Sequence, residues 1–436
     1  MRRIDVIGAA ALTSLVLACG GGDEKSEPAA SPAKKPEAAG PAGGATAPAL
    51  PDDLDQALVL SLAHFVKQDG KSKPGAARME FVYRQGGEWK MTFVEDPDSN
   101  VFHKVMRYDG GGAPRLLSMG GMAAAVKTWT RAGDTLTANT EWQQDFGGKF
   151  SRMRDAEVAD LYGDGKASIA VATHDQGIVS VLRPQDGGGF EVVQLDAKPE
   201  TFVHEIEIGD VNGDGTLEVY ATPSEPNKLD GSVQTGEVVR YEPAAGVNRT
   251  LVADLGDRHA KEILVADIDG NGRDELYVSV EGHTDKDKRL VDPVEVRRYE
   301  ADTPAGEGVV IATLQDRLSR FLTAGDVDGD GKQELVAASF SSGVWLLRPG
   351  ADPNASWKSE LIDRDTGGFE HASVLTDLDG DGRDELYVAS DRHKEVRRYV
   401  WVDGKPKRET IYVRPDDRPV FTWNLMPVPV ALVPGH

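Results

Sequence analysis

Short β-type runs recur along this chain between clusters of Gly, Asp and Asn, without the 3.6-residue apolar period of an amphipathic helix. HEIEIGD and KEILVAD each lead into an acidic turn, and LEVYAT and ELYVSV leave it, so each turn joins two predicted strands. Two more predicted strands follow in each module, GEVVRYEP and NRTLVADL after one turn, PVEVRRYE and GVVIATL after the next. Four strands in 50 to 59 residues leave no room for the helix of a β-α solenoid unit.

The turns themselves repeat. DVNGDGTLEV starts at Asp210, DIDGNGRDEL at Asp267, DVDGDGKQEL at Asp326 and DLDGDGRDEL at Asp377. A weakened copy, DLYGDGKASI, starts at Asp160, and a more eroded one, RYDGGGAPRL, at Arg107. Each strong copy has oxygen-bearing side chains at positions 1, 3, 5 and 9 and Gly at 4 and 6, a spacing by which a tight loop turns alternate side chains toward one hard cation. Calcium suits such a loop because it accepts six to eight oxygens at irregular angles, whereas magnesium demands a near-octahedral shell. The side-chain ligands expected are Asp210, Asn212, Asp214 and Glu218; Asp267, Asp269, Asn271 and Glu275; Asp326, Asp328, Asp330 and Glu334; and Asp377, Asp379, Asp381 and Glu385. The backbone carbonyl at position 7 (Thr216, Arg273, Lys332, Arg383) would add an oxygen. About four Ca2+ sites are therefore expected. Tyr162 and Ser168 replace ligands in the Asp160 copy, which makes a fifth site doubtful, and the Arg107 copy should have none.

An EF-hand shares this opening but needs a bidentate Glu at position 12 between two helices. Position 12 here is Ala221, Val278, Ala337 or Val388, which excludes it.

A four-stranded sheet of this size buries both faces only between like neighbours around an axis, so the expected fold is an all-β, seven-bladed β-propeller over residues 51–436, with four-stranded antiparallel blades. Six blades is the alternative, should the N-terminal strands only decorate the rim. RPVFTWNLMPV near the C-terminus resembles the first-strand stretches ETFVHEIEIGD and LSRFLTAGD, while MEFVYRQ and EWKMTFVE near the N-terminus look like outer strands lacking a partner. Joining them would close the ring and bury two sheet edges. The Asp-x-Asp-Gly-Asp-Gly-x-x-Glu loops resemble the FG-GAP or VCBS repeats of bacterial surface proteins and of the integrin α-subunit propeller. The resemblance spans roughly residues 100 to 430 and implies calcium held between the first two strands of a blade. It implies fold and metal more than function, because the family includes adhesins, lectins and polysaccharide lyases.

Arg2 and Arg3 precede an apolar run from Val6 to Ala18 that is short for a membrane span, so residues 1–18 read as a secretion signal. Val16-Leu17-Ala18-Cys19 resembles the bacterial lipobox, which implies lipidation of Cys19, the only cysteine; Gly20 after it resembles the pattern sorted to the outer membrane. Residues 19–50 then form a Gly/Pro/Ala tether without large apolar side chains. The expected location is the cell envelope, as an outer-membrane lipoprotein. Asp and Glu exceed Lys and Arg by 72 to 49, a formal charge of −23 that disfavours nucleic-acid partners.

Counting six residues back from each turn finds Arg154, His204, Lys261, Arg320 and His371, all basic. One such position per blade would make a cationic ring at the channel mouth opposite the metal loops, suited to an anionic ligand. The competing reading pairs them with adjacent acids such as Asp155, Glu205 and Glu262. His174, His283 and His393, each just after a second strand, are read as surface histidines. No Gly-x-Ser-x-Gly, His-Glu-x-x-His or phosphate-binding Gly-rich motif is present, so no catalytic residue is assigned. The function expected is a calcium-stabilised, lipid-anchored binding, adhesion or assembly module for a protein or glycan ligand. A carbohydrate-active enzyme or lectin on the same propeller is the alternative.

Overall fold

The structure, a computed structural model, describes residues 49–436 except 69–70, 111, 122–123, 148–151, 227–232, 247 and 416–418. The signal segment, Cys19 and the tether up to residue 48 lie outside the described residues.

Seven antiparallel sheets, each of four consecutively paired strands, make seven blades. Blade 1 joins the two ends of the chain: Val420–Pro429 is its innermost strand and pairs with Gln56–Gln68, followed outward by Ala77–Gln85 and Glu88–Asp96. Leu60 sits opposite Leu425 there, and Leu58 opposite Pro427. The closure expected from RPVFTWNLMPV is thus formed, and the six-blade alternative is set aside. Lys71–Pro74 adds a short edge strand to Gln56–Gln68. The innermost strands of blades 2 to 7 are Phe102–Tyr108, Met153–Ala159, Phe202–Gly209, Ala260–Ala266, Ser319–Gly325 and Ser373–Thr376. Blade 5 also carries a small hairpin, His283–Thr284 with Leu290–Asp292.

Second strands are packed on both faces by neighbouring blades, and their composition follows: all six residues are buried in Glu275–Val280, Glu334–Ser339 and Glu385–Ser390. Outer strands such as Lys405–Val413 are mostly exposed and alternate. The apolar clusters bridge blades, as where Val336 and Leu346 of blade 6 meet Leu386 and Tyr399 of blade 7. Each fully buried Leu or Val contributes roughly 1.5–3 kcal/mol, so the ring is held by its blade-to-blade seams.

Candidate metal loops and the central channel

The loops between first and second strands are built by position 1. Asp326 Oδ1 accepts N–H bonds from Gly329 (2.7 Å) and Asp330 (3.2 Å), and its Oδ2 accepts from Gly331 (2.7 Å). Asp377 does the same with Gly380, Asp381 and Gly382. Asp267, Asp210 and Asp160 staple positions 5 and 6 in the same way. Gly329 and Gly331 have φ of +77° and +81°, where a side chain would be strained; this explains Gly at positions 4 and 6.

Three loops gather carboxylates. Ligand atoms of Asp267, Asp269 and Glu275 lie within 4.8 Å of one another, as do those of Asp326, Asp328 and Glu334, and of Asp377, Asp379 and Glu385. These acidic clusters could hold a metal ion. Position 5 stands apart from them: Asp214, Asn271, Asp330 and Asp381 each accept the N–H of position 7, which is Thr216, Arg273, Lys332 or Arg383, at 2.8–2.9 Å. In the Asp210 loop, position 3 is Asn212, whose amide donates to Glu218, and among the described residues Asp210 and Glu218 gather no third carboxylate within that distance.

Sequence reasoning missed an arginine. Arg348, on the third strand of blade 6, donates from Nη1 to Asp328 Oδ2 (2.8 Å) and Glu334 Oε1 (2.6 Å). Arg398 makes the same bridge between Asp379 (3.2 Å) and Glu385 (2.6 Å). Arg298 bridges Asp269 (2.7 Å) and Glu275 (3.1 Å). Three carboxylates and one guanidinium leave two negative charges, which matches a divalent cation. Asp328 Oδ1 is also buried without a hydrogen-bond donor, so acceptor capacity remains for an ion. The residues therefore fit the hard cation expected. Burial pushes Glu334 and Glu385 up to about 7 and raises Glu218 and Glu275 as well. The signal for the arginines was the recurring VRRY and LLRP of the third strands, legible only once the strand register is known.

The eroded loops use other contacts. In blade 3, Arg183 pairs with Asp164 (3.0 Å) and lies 4.2 Å from the centre of the Tyr162 ring. In blade 2, Tyr108 ends the inner strand opposite Arg115, as Gly209 does opposite Glu218, so the loop is two residues shorter. Its frame therefore begins at Asp109, and His103 is the residue six positions back.

The channel wall is shaped by a repeated irregularity. In blades 1 to 6 the inner strand carries an extra residue against its neighbour near Trp423, His103, Arg154, His204, Lys261 and Arg320. The bulge lets two successive residues face the axis. Glu370 joins two of these bases across the channel, at 3.5 Å from Arg154 and 2.8 Å from Arg320; Arg320 also meets Glu281 at 3.1 Å. His204 is buried beside them. His371 is not brought into this group: with φ of +63°, its ring is taken up by the Ser339 carbonyl (2.8 Å) and the Thr366 hydroxyl (3.0 Å). His174 is buried rather than at the surface, while His283 and His393 are half-buried; each lies against a carboxylate, Asp175, Asp292 and Asp365 respectively.

The next residues along form a carboxylate belt. Lys104 Nζ is 3.2 Å from Asp155 and touches Glu157. Burial opposes the Lys104 charge, but Asp155 and Glu157 outweigh it and hold Lys104 well above its ordinary value. Burial, reinforced by mutual repulsion, raises Glu205, Glu207 and Glu262 well above the carboxylate range. Asp155 and Glu262 also accept the backbone N–H of the next blade, at Ile206 (3.0 Å) and Leu322 (2.9 Å).

No curated protein sequence matches the chain. Among solved structures, a 6-phosphogluconolactonase-like protein of Bacteroides fragilis aligns with a TM-score of 0.52 and 15% identity, covering 85% of this chain and 98% of that one. BBS1N, solved in complex with ARL6DN, aligns with a TM-score of 0.45 and 12% identity, covering 72% and 82%. The first of these shows a shared fold alone. Residues 326–388, which contain two of the carboxylate loops, match the model for an FG-GAP-like repeat. The chain is thus a seven-bladed β-propeller that carries an FG-GAP-like repeat across blades 6 and 7.

Proposed function

We propose that this propeller is stabilised by calcium and works as a binding or assembly module at the bacterial cell envelope, anchored through a lipid on Cys19. The observation that supports it is the same carboxylate triad, arginine-bridged to a net charge of −2, in three blades. Position 1, position 3 and Glu at position 9 would hold the ion, which when bound would neutralise the cluster and tie first strand to second. At tenfold excess of free ion over its dissociation constant, each site adds about 1.4 kcal/mol, so three add about 4 kcal/mol.

EGTA should therefore lower the melting temperature markedly, with calcium restoring it and magnesium not. Unchanged melting would reject filled sites. Whether Cys19→Ser moves the protein from the membrane to the soluble fraction tests the anchor separately. Product analysis after incubation with glycans separates a module from a lyase-like enzyme.

A further inference from the structure

We infer that the channel mouth, on the side away from the metal loops, binds one small monocarboxylic acid with Lys261 as its counter-charge; this deepens the binding-module reading and rests on it.

The charge inventory leads there. Arg154 and Arg320 share Glu370, and Arg320 also pairs with Glu281, which His259 approaches at 3.0 Å. Lys261 stands on the bulge between them, only 8% exposed, and makes no ion pair or hydrogen bond among the described residues. Glu281 and Glu370 act on it only from a distance, and a buried cation without a contacting anion is costly unless one joins it. At the mouth, Arg154, Lys261 and Arg320 share the two carboxylates Glu281 and Glu370, a local surplus of one that a monoanion matches and a dianionic phosphate overshoots. Burial, with Arg320 and Arg154 nearby, outweighs Glu281 and Glu370 and pushes the Lys261 ammonium down to about 8, in keeping with the lack of a contacting counter-ion.

A second donor faces the same ring. Trp423, 7% exposed, occupies the equivalent bulge of blade 1, and its indole N–H is buried without an acceptor among the described residues. Phe369 lies 6.4 Å from it, ring centre to ring centre, and the Arg320 guanidinium is 4.5 Å from Phe369, so Arg320 and Trp423 adjoin an aromatic wall. Below the mouth lies the acidic belt of Asp155, Glu157, Glu205, Glu207 and Glu262, where Lys104 already contacts Asp155 and Glu157, so the belt offers an anion no free cation. Lys261, Arg320 and Trp423 are each less than a tenth exposed, which favours a free small acid with a ring over a carboxylate within a polymer.

The test is calorimetric titration of the calcium-loaded full chain with benzoate, acetate, inorganic phosphate and polygalacturonate. Benzoate should bind one per chain and more tightly than acetate, with phosphate and the polymer weaker. Lys261→Met should weaken benzoate at least ~10-fold, as expected for losing a buried charged hydrogen bond. Its melting temperature without ligand should equal or exceed that of the parent, because a buried charge without a contacting anion is gone. Lys261→Arg should retain binding, and Trp423→Phe should weaken it by a smaller factor. Equal benzoate affinity in Lys261→Met, tighter phosphate or polymer binding, or no carboxylate binding would each overturn the site. If no carboxylate binds while calcium still raises the melting temperature, this site alone falls; if calcium fails too, the reading above falls with it.

Discussion

The loops of blades 3 and 6 share a backbone and differ in chemistry. Asp160 and Asp326 both accept the N–H groups of positions 5 and 6, and both loops have Gly with positive φ at positions 4 and 6. In blade 6 an arginine bridges Asp328 and Glu334 beside Asp326. In blade 3 the equivalent arginine, Arg183, stacks on Tyr162 and pairs with Asp164, while position 9 is the buried Ser168. The difference teaches that loop shape and ion capacity are separate properties. Position 1 and the glycines make the turn; positions 3 and 9 decide whether it can hold a divalent cation. An aspartate-rich turn can therefore survive as a structural element after its ligands are gone, with an arginine supplying the charge.

The largest effect should come from removing the shared part. Asp160→Ala and Asp326→Ala should each cost about 2 kcal/mol in EGTA, since each strips charged acceptors from backbone donors, two at Asp160 and three at Asp326. In calcium, Asp326→Ala should lose about 1.4 kcal/mol more at tenfold ion excess, and Asp160→Ala nothing more. Urea unfolding in both buffers reads this; an equal calcium increment in the two variants would erase the distinction drawn between the blades.

A graft should have the next largest effect. Tyr162→Asp combined with Ser168→Glu places carboxylates at positions 3 and 9 within reach of Arg183, and should add one calcium per chain by calorimetry, with about 1.4 kcal/mol at the same excess. An unchanged stoichiometry would mean that more than these positions separates the two loops.

The smallest effect concerns protons. Burial raises Glu334 and Glu385 to about 7 in the folded chain, against an ordinary value of about 4.3. A raised folded value contributes stability that is complete below the ordinary value and lost as pH rises through about 7. Calcium-free protein should therefore melt at a higher temperature at pH 6 than at pH 8, and Glu334→Gln should reduce that difference. Ser168 offers blade 3 no such group, so Ser168→Ala should leave the pH profile unmoved.

Much of this was legible in the residues. The decapeptide turns marked the blades, and RPVFTWNLMPV marked the closing strand because inner strands share a pattern. Less legible was blade 2, where a loop two residues shorter shifts the frame from Arg107 to Asp109 and hides His103 as a channel residue. The bridging arginines escaped because a third strand meets the loop only through its register: Arg398 lies opposite Tyr387, and Arg298 opposite Tyr277. His371 shares its spacing with Arg320 but not its backbone, since blade 7 begins its inner strand only at Ser373.

By itself, the amino-acid order determined what is local: the turns, where an aspartate reaches N–H groups four and five residues ahead, and the strands that flank them. Only the closed ring decided the channel. Arg154 and Glu370 are separated by 216 positions and meet because seven blades must return on themselves. Whether a base is paired or left without a partner depends on which blade faces it across the axis. That is a long-range consequence of packing, and no spacing along the chain records it.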